Sequence, residues 1–440
     1  MRIIIGLALF FSAAQCLAFT ATITTDTVDI NPGDNICADS NGQCSLRAAI
    51  MESNASANHN TIQLLRGLTY QLSIPNTSNT EADGDLDIFE SVTIQNVDPN
   101  SPLTSFDQWP TIDANGIDRV IEIFGASSVV ISGIRITGGN GLNSGQIEGG
   151  GIMVHNNVDG FSLLNSIIDN NTATVGAGLS LNATQSYIRD TDISGNDTDS
   201  TGAQVYGSGI YSNNGVLNIL RTSIHHNGRL DGQTWCVGAV SVHESGNSVM
   251  IRDSTIADNG YTELDGCAHG VLINNASLYL NNTTIVGNSG RGFHFYDNPN
   301  DTEDYTLRMR SSILDNHNTN CSGNTGTINL GDAGNGFNMS SDNSCQFLMT
   351  AENGNLESVD LALHPGRSYI NQETYFWYKE PMQSSLIIDN GSVHSQIDEC
   401  ADFDQITTGR LIDGDHDQVA LCDSGAIEYS HDLIFYHGTD

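Results

Sequence analysis

The sequence predicts an all-β chain wound as a right-handed parallel β-helix, on three observations. First, an isoleucine is followed three residues later by asparagine six times: Ile168/Asn171, Ile193/Asn196, Ile224/Asn227, Ile256/Asn259, Ile285/Asn288 and Ile313/Asn316. Second, these isoleucines lie 25, 31, 32, 29 and 28 residues apart, a spacing at which one supersecondary unit stacks on the next. Third, a small residue opens an apolar-polar-apolar-polar run in each interval, at 151–155, 178–182, 209–213, 239–243, 270–274 and 292–296. Strict alternation marks a strand with one buried face.

The chain divides into four parts. Residues 1–18 carry Arg2, an apolar run and Cys16-Leu17-Ala18 as a small-residue cleavage site, which predicts a secretory signal. Residues 19–84 form an N-terminal cap, 85–349 the solenoid and 350–440 a C-terminal cap. No other apolar run approaches the roughly 20 residues needed to span a bilayer.

Loss of Arg2 with the signal takes the net charge from −37 to −38. That excess disfavours nucleic acid and anionic lipid as partners and suits a cation-rich exterior in which carboxylates bind calcium. Nine cysteines become eight without Cys16, an even number for an exported chain. Cys236 and Cys267 stand four residues before Val240 and Val271; in adjacent coils such positions stack within disulfide range. Cys236–Cys267 is therefore the expected staple, and proximity pairs Cys37–Cys44, Cys321–Cys345 and Cys400–Cys422.

Within the N-terminal cap, Thr22 to Ile30 alternates like an edge strand. Residues 44–54 read as an amphipathic helix with Ser45 as N-cap and Leu46, Ala49 and Ile50 on one face, a lid for the open end of a solenoid. Cys44-Ser45-Leu46-Arg47-Ala48-Ala49-Ile50, with Gly84-Asp85-Leu86-Asp87-Ile88 and Ile112-Asp113-Ala114-Asn115-Gly116, resembles bacterial exported proteins named for their CSLREA motif, with Ala48 in place of glutamate. At the other end, Asp413-Gly414-Asp415-His416-Asp417 and Cys422-Asp423-Ser424-Gly425-Ala426-Ile427-Glu428 resemble the module called choice-of-anchor Q. The resemblance implies an exported, pectin-lyase-like β-helix and no agreed activity.

Stacking the repeats predicts two buried columns, Ile152 to Phe293 and Val154 to Phe295, and an asparagine ladder at the turn. Outward, His155 and His243 lie three coils apart, too far to share a metal. The rings of His225-His226 are expected to point apart. Asn165, Arg189, Arg221, Arg252, Asn281 and Arg310 are expected in one column, of which Arg221 and Arg252 are candidate contacts for an acidic polysaccharide; the plainer expectation is ion pairing with Asp190, Asp192, Asp253 and Asp315.

Three successive repeats carry longer loops on one edge, which hold Tyr206, Arg229, Asp231, Trp235, Tyr261, Glu263 and Asp265. Insertions on one face of a solenoid commonly form its binding face, and aromatic rings there suit sugar rings. Two aspartate runs, Asp83/Asp85/Asp87 and Asp413/Asp415/Asp417, alternate acids as a calcium site can, without the remaining features of an EF-hand loop. The functional expectation is a non-catalytic adhesin or glycan-binding surface protein. The alternative is a polysaccharide lyase or glycoside hydrolase acting on an acidic polysaccharide, although paired catalytic acids are not marked by any run.

Overall fold

The computed structural model describes residues 17–78, 80–97, 108–143, 147–199, 205–229, 237–244, 247–260, 268–296, 306–323, 336–347, 354–371, 374–383, 385–391, 402–414 and 420–429. Each coil contributes one strand to a nine-stranded parallel sheet and two strands, separated by a sharp corner, to a 19-stranded sheet. The register follows the predicted columns: Ile152 pairs with Leu179, Leu179 with Ile210, Ile210 with Val240, Val240 with Val271 and Val271 with Phe293. These side chains, with Ile168, Ile193, Ile224, Ile256 and Ile285, are closed to solvent in one continuous core. A fully buried aliphatic side chain contributes roughly 1.5–3 kcal/mol, so the stack is the main cohesive element.

The last repeat aligns one residue later than expected. Ile285 pairs with Leu314, and Ile313 pairs with Thr284. Asn316 nevertheless keeps its turn position, because Asn288 donates to its Oδ1 from both backbone and side-chain nitrogens at 3.2 and 2.8 Å.

The asparagine ladder forms as expected. Asn227 shows the unit: its Oδ1 accepts from the backbone and side chain of Asn196, and its amide donates to Ile193 O, His225 O and Asn259 Oδ1. A second ladder lies at the opposite corner. There Asn165, Asp190, Arg221, Asp253, Asn282 and Ser311 adopt φ of 43 to 54°. The next residue in each coil (Ser166, Thr191, Thr222, Ser254, Thr283, Ser312) donates its hydroxyl to the carbonyl two residues back at 2.6 to 3.1 Å. The sequence does carry a signal for it, a hydroxyl residue two positions before each paired apolar residue.

At the N-terminal end the helix spans Leu46–Asn54, with Ser45 Oγ accepting from Ala48 N at 3.0 Å. Thr22 to Ile30 is not a strand. The edge strand is Ala18–Ala21, which pairs in parallel with Asn60–Leu64 and so begins the solenoid itself. The stretch that follows turns away to meet the helix: Asp26 binds Arg47 bidentately at 2.7 and 3.2 Å. Arg47, wholly buried, also donates to the carbonyls of Glu81, Gly84 and Asp85. One arginine thus ties the helix to the loop that enters the first coil. Cys37–Cys44 and Cys321–Cys345 are disulfides, and Cys422 is disulfide-bonded; Cys236, Cys267 and Cys400 lie outside the described residues.

The C-terminal segment packs along the flank of the solenoid. Ser223, Thr255 and Thr284, outward on successive coils, bond Trp377, Gln405 and Ala426. Arg410, fully buried, reaches Asp253 at 3.0 Å. Gly425 sits where a Cβ would lie 2.9 Å from Thr284 Oγ1, at φ +99°, so glycine is the residue that lets this loop close on the coil.

Candidate functional site

The outward face of the nine-stranded sheet carries two adjacent columns. The inner one runs Asp87, Glu122, Met153, Ser180, Tyr211, Ser241, Leu272 and His294. Beside it Phe89, Phe124 and His155 stack, with centroids 5.2 and 4.4 Å apart. Phe89 is 42% exposed. Above this stack opens a groove of about 440 Å³, lined by His155, Asn156, Asn182, Asn213 and Asn214 with Met153 and the acids Glu148 and Glu244. A stacked aromatic surface beside a row of amides offers apolar faces and paired donors and acceptors, the two things a sugar ring presents.

Below the groove lies a buried charge cluster. Asp85, Asp87 and Glu122 each place a carboxylate oxygen within 4.8 Å of the others. Arg119 reaches Asp85 at 3.1 Å and Glu122 at 3.0 Å, and His155 Nε2 meets Glu122 Oε1 at 2.7 Å. Burial pushes the Asp85 carboxyl up to about 8 against the pull of Arg119, with Asp118, Asp87 and Glu122 adding to it. Burial likewise raises Asp87 to about 7, with Glu122 beside it. Asp87 is 5% and Glu122 1% exposed, so a polymer cannot reach either carboxylate.

Several expected site residues move. Asp83 does not join Asp85 and Asp87. Its carboxylate turns back on its own loop and accepts from Thr77, Ser78 and Thr80. Burial would raise its pKa, but these hydrogen bonds outweigh that and hold it well below the usual carboxylate range. The alternation of acids suggested a shared face, and the left-handed turn at Gly84 (φ +66°) breaks it.

The arginine column is also broken. Arg189 pairs in register with Leu220, not Arg221, and Leu220 with Arg252. Arg221 and Asn165 occupy the left-handed corner instead, where Arg221 binds Asp190 through two bonds at 2.7 and 2.9 Å. Arg252 stays on the strand and is exposed. His225 and His226 do not point apart. The left-handed φ of His226 brings the two Nδ1 atoms to 2.7 Å, and both rings meet Trp377.

Of the loop-edge residues, Tyr206 is described. It packs against His243 at 4.3 Å and Tyr211 at 5.9 Å. His243 is 7% exposed and burial lowers its pKa to about 4, so the ring is neutral at pH 7; among the described residues its Nε2 has no hydrogen-bond partner. The backbone of Arg229 forms a short strand, Gly228–Arg229, paired with Asp197–Thr198. Asp231, Trp235, Tyr261, Glu263 and Asp265 lie outside the described residues, as do Asp415 and Asp417; Asp413 is partly buried.

No family model matches the chain, and no curated protein matches it. Among solved structures it is similar to the one titled "Crystal structure of pectate lyase Pel9A", at 14% identity over 95% of this chain and 97% of that one, with a TM-score of 0.49. The chain is a right-handed parallel β-helix. That statement rests on its own strand register, and a likeness at this level carries nothing about activity.

Proposed function

We propose that this protein is an exported β-helix that binds glycan along the groove of the nine-stranded sheet without cleaving it. The observation that supports the reading is the aromatic stack Phe89–Phe124–His155 continuing into the amide-lined groove. The acids near the groove argue for a neutral or cation-bridged glycan, since Glu148 and Glu244 would repel free uronates. The reachable guanidinium fork expected of Arg221 is already engaged by Asp190. Disulfides accord with an extracellular setting, and among the described residues no helix is long and apolar enough to cross a membrane. The resemblance to exported CSLREA-motif proteins makes a bacterial surface or secreted location part of the same proposal.

Binding to a panel of neutral and acidic polysaccharides tests it. Phe89→Ala and Asn213→Ala should each weaken binding about tenfold, the scale of one lost stacking or hydrogen-bonding contact, with the melting temperature unchanged. Unaltered binding in both variants would remove the groove from consideration. The lyase alternative has one observation in its favour, a neutral His243 between two tyrosines. Release of unsaturated ends that His243→Ala abolishes would establish it in place of the binding reading.

A further inference from the structure

We propose that Asp85, Asp87 and Glu122 form a site for a hard divalent cation that locks the N-terminal cap onto the first two coils. The three carboxylates come from paired strands, Leu86–Ile88 and Ile121–Ile123, and from the loop residue just before the first. Their oxygens converge within 4.8 Å, the scale of a shared coordination sphere for a cation with 2.3–2.6 Å oxygen bonds.

A second observation points to a ligand. Asp87 is 95% buried, taking its 5% exposure from the whole, yet its carboxylate has no hydrogen bond or ion pair among the described residues. Glu122 Oε2, on the same face, is buried without a hydrogen-bond donor among the described residues. Buried carboxylate oxygens are costly to leave in that state. Arg119 and His155 engage Asp85 Oδ2 and Glu122 Oε1, leaving Asp87 and Glu122 Oε2 to a partner of another kind.

Charge counting agrees. Asp85, Asp87, Glu122 and Asp118 face Arg119, while the other buried guanidinium, Arg47, is committed to Asp26. A divalent cation offsets two of the charges these carboxylates carry when ionised. The oxygen-only donor set selects calcium or magnesium over softer metals, and the irregular arrangement favours calcium, which tolerates flexible geometry. Because Asp85 O and Gly84 O are held by Arg47, a cation at Asp85 secures the same loop from its other side.

The test uses the full secreted chain freed of metal with chelator. Calorimetry with calcium chloride, and separately magnesium chloride, reads affinity and stoichiometry; thermal melts read stabilisation, with sodium chloride at matched ionic strength as control. The expected result is one tight calcium per chain, a melting temperature that rises with calcium beyond the sodium control, and loss of about tenfold or more in affinity in Asp87→Asn and Glu122→Gln. Asp87→Asn keeps the shape of the side chain and removes an unpaired buried charge, so in chelator it should melt no lower than the parent; Glu122→Gln also gives up the ion pairs with Arg119 and His155, so its calcium affinity is read against its own melt in chelator. If one fails to fold, the other decides. A rise matched by sodium, or calcium binding equal in the parent and the folded variant, would overturn the proposal. Glycan binding need not change in either case, so this outcome is independent of the groove.

Discussion

The asparagines at the turn and the carboxylates of the first coils are both polar, buried and stacked from one coil to the next, but only the asparagines complete their own hydrogen bonding. An amide carries donors and an acceptor, so Asn196, Asn227 and Asn259 satisfy one another in a repeating unit. A carboxylate only accepts, so stacking Asp87 on Glu122 multiplies the deficit. The difference teaches that the first stack is self-sufficient architecture, whereas the second is incomplete without a cation or a proton.

The comparison can be broken at its strongest point first. Asn227→Ala removes five hydrogen bonds from the middle of the ladder, and at about 1 kcal/mol each it should cost roughly 5 kcal/mol. Chemical denaturation checks this, and a loss below about 1 kcal/mol would mean that the ladder is ornament on an apolar fold.

Arg119→Leu probes the other stack. It strips the countercharge from Asp85 and Glu122 and should cost about 3–4 kcal/mol in chelator at neutral pH, as breaking a buried pair does. No change there would show that the cluster does not depend on Arg119 for its countercharge.

A third measurement concerns His243, a buried polar ring whose one side-chain hydrogen bond among the described residues is a long one, Nδ1 to Asn274 at 3.4 Å. Its folded pKa of about 4 lies below the ordinary 6.5 because of burial. The unfolded chain therefore binds the extra proton between those values, and stability contributed by the neutral ring is lost as pH falls from 6.5 towards 4. At about 1.4 kcal/mol per unit the loss is at most about 3.5 kcal/mol. His243→Gln should flatten that part of a stability-against-pH curve; an unchanged slope would assign it to other groups. The smallest stability effect belongs to Phe89→Ala and Asn213→Ala, within about 0.5 kcal/mol as for surface changes, so any change in their glycan binding is a change in contact.

What could be read in advance follows from the same distinction. The asparagine ladder was legible because a residue that satisfies its neighbours recurs at every coil, and the buried columns because alternation has one geometric meaning. Arg221 was misplaced because a left-handed corner shifts a side chain by one position without any change in residue class. Asp83 was grouped with Asp85 and Asp87 because alternation assumes a continuous strand, which Gly84 interrupts. The contribution of Glu122 to the cluster, and of His155 beside it, could not be seen in the aspartate run, since it comes from a coil about 35 residues on. Asp87–Glu122 opposition was nevertheless implicit in the stacking of 86–88 on 121–123.

The flank contact has a consequence for how the molecule is made. Ser223 bonds Trp377 and Gln405, which follow it by 154 and 182 residues. Coils can add to a growing stack through neighbour contacts alone, whereas this clasp closes only once residues 377–426 have been made, since they follow every coil they bind. Until then a row of hydroxyls on three finished coils faces water. A chain interrupted before residue 377 would retain a stackable solenoid and lack its seal, and susceptibility to proteases along that flank is where such an unfinished molecule would be recognised.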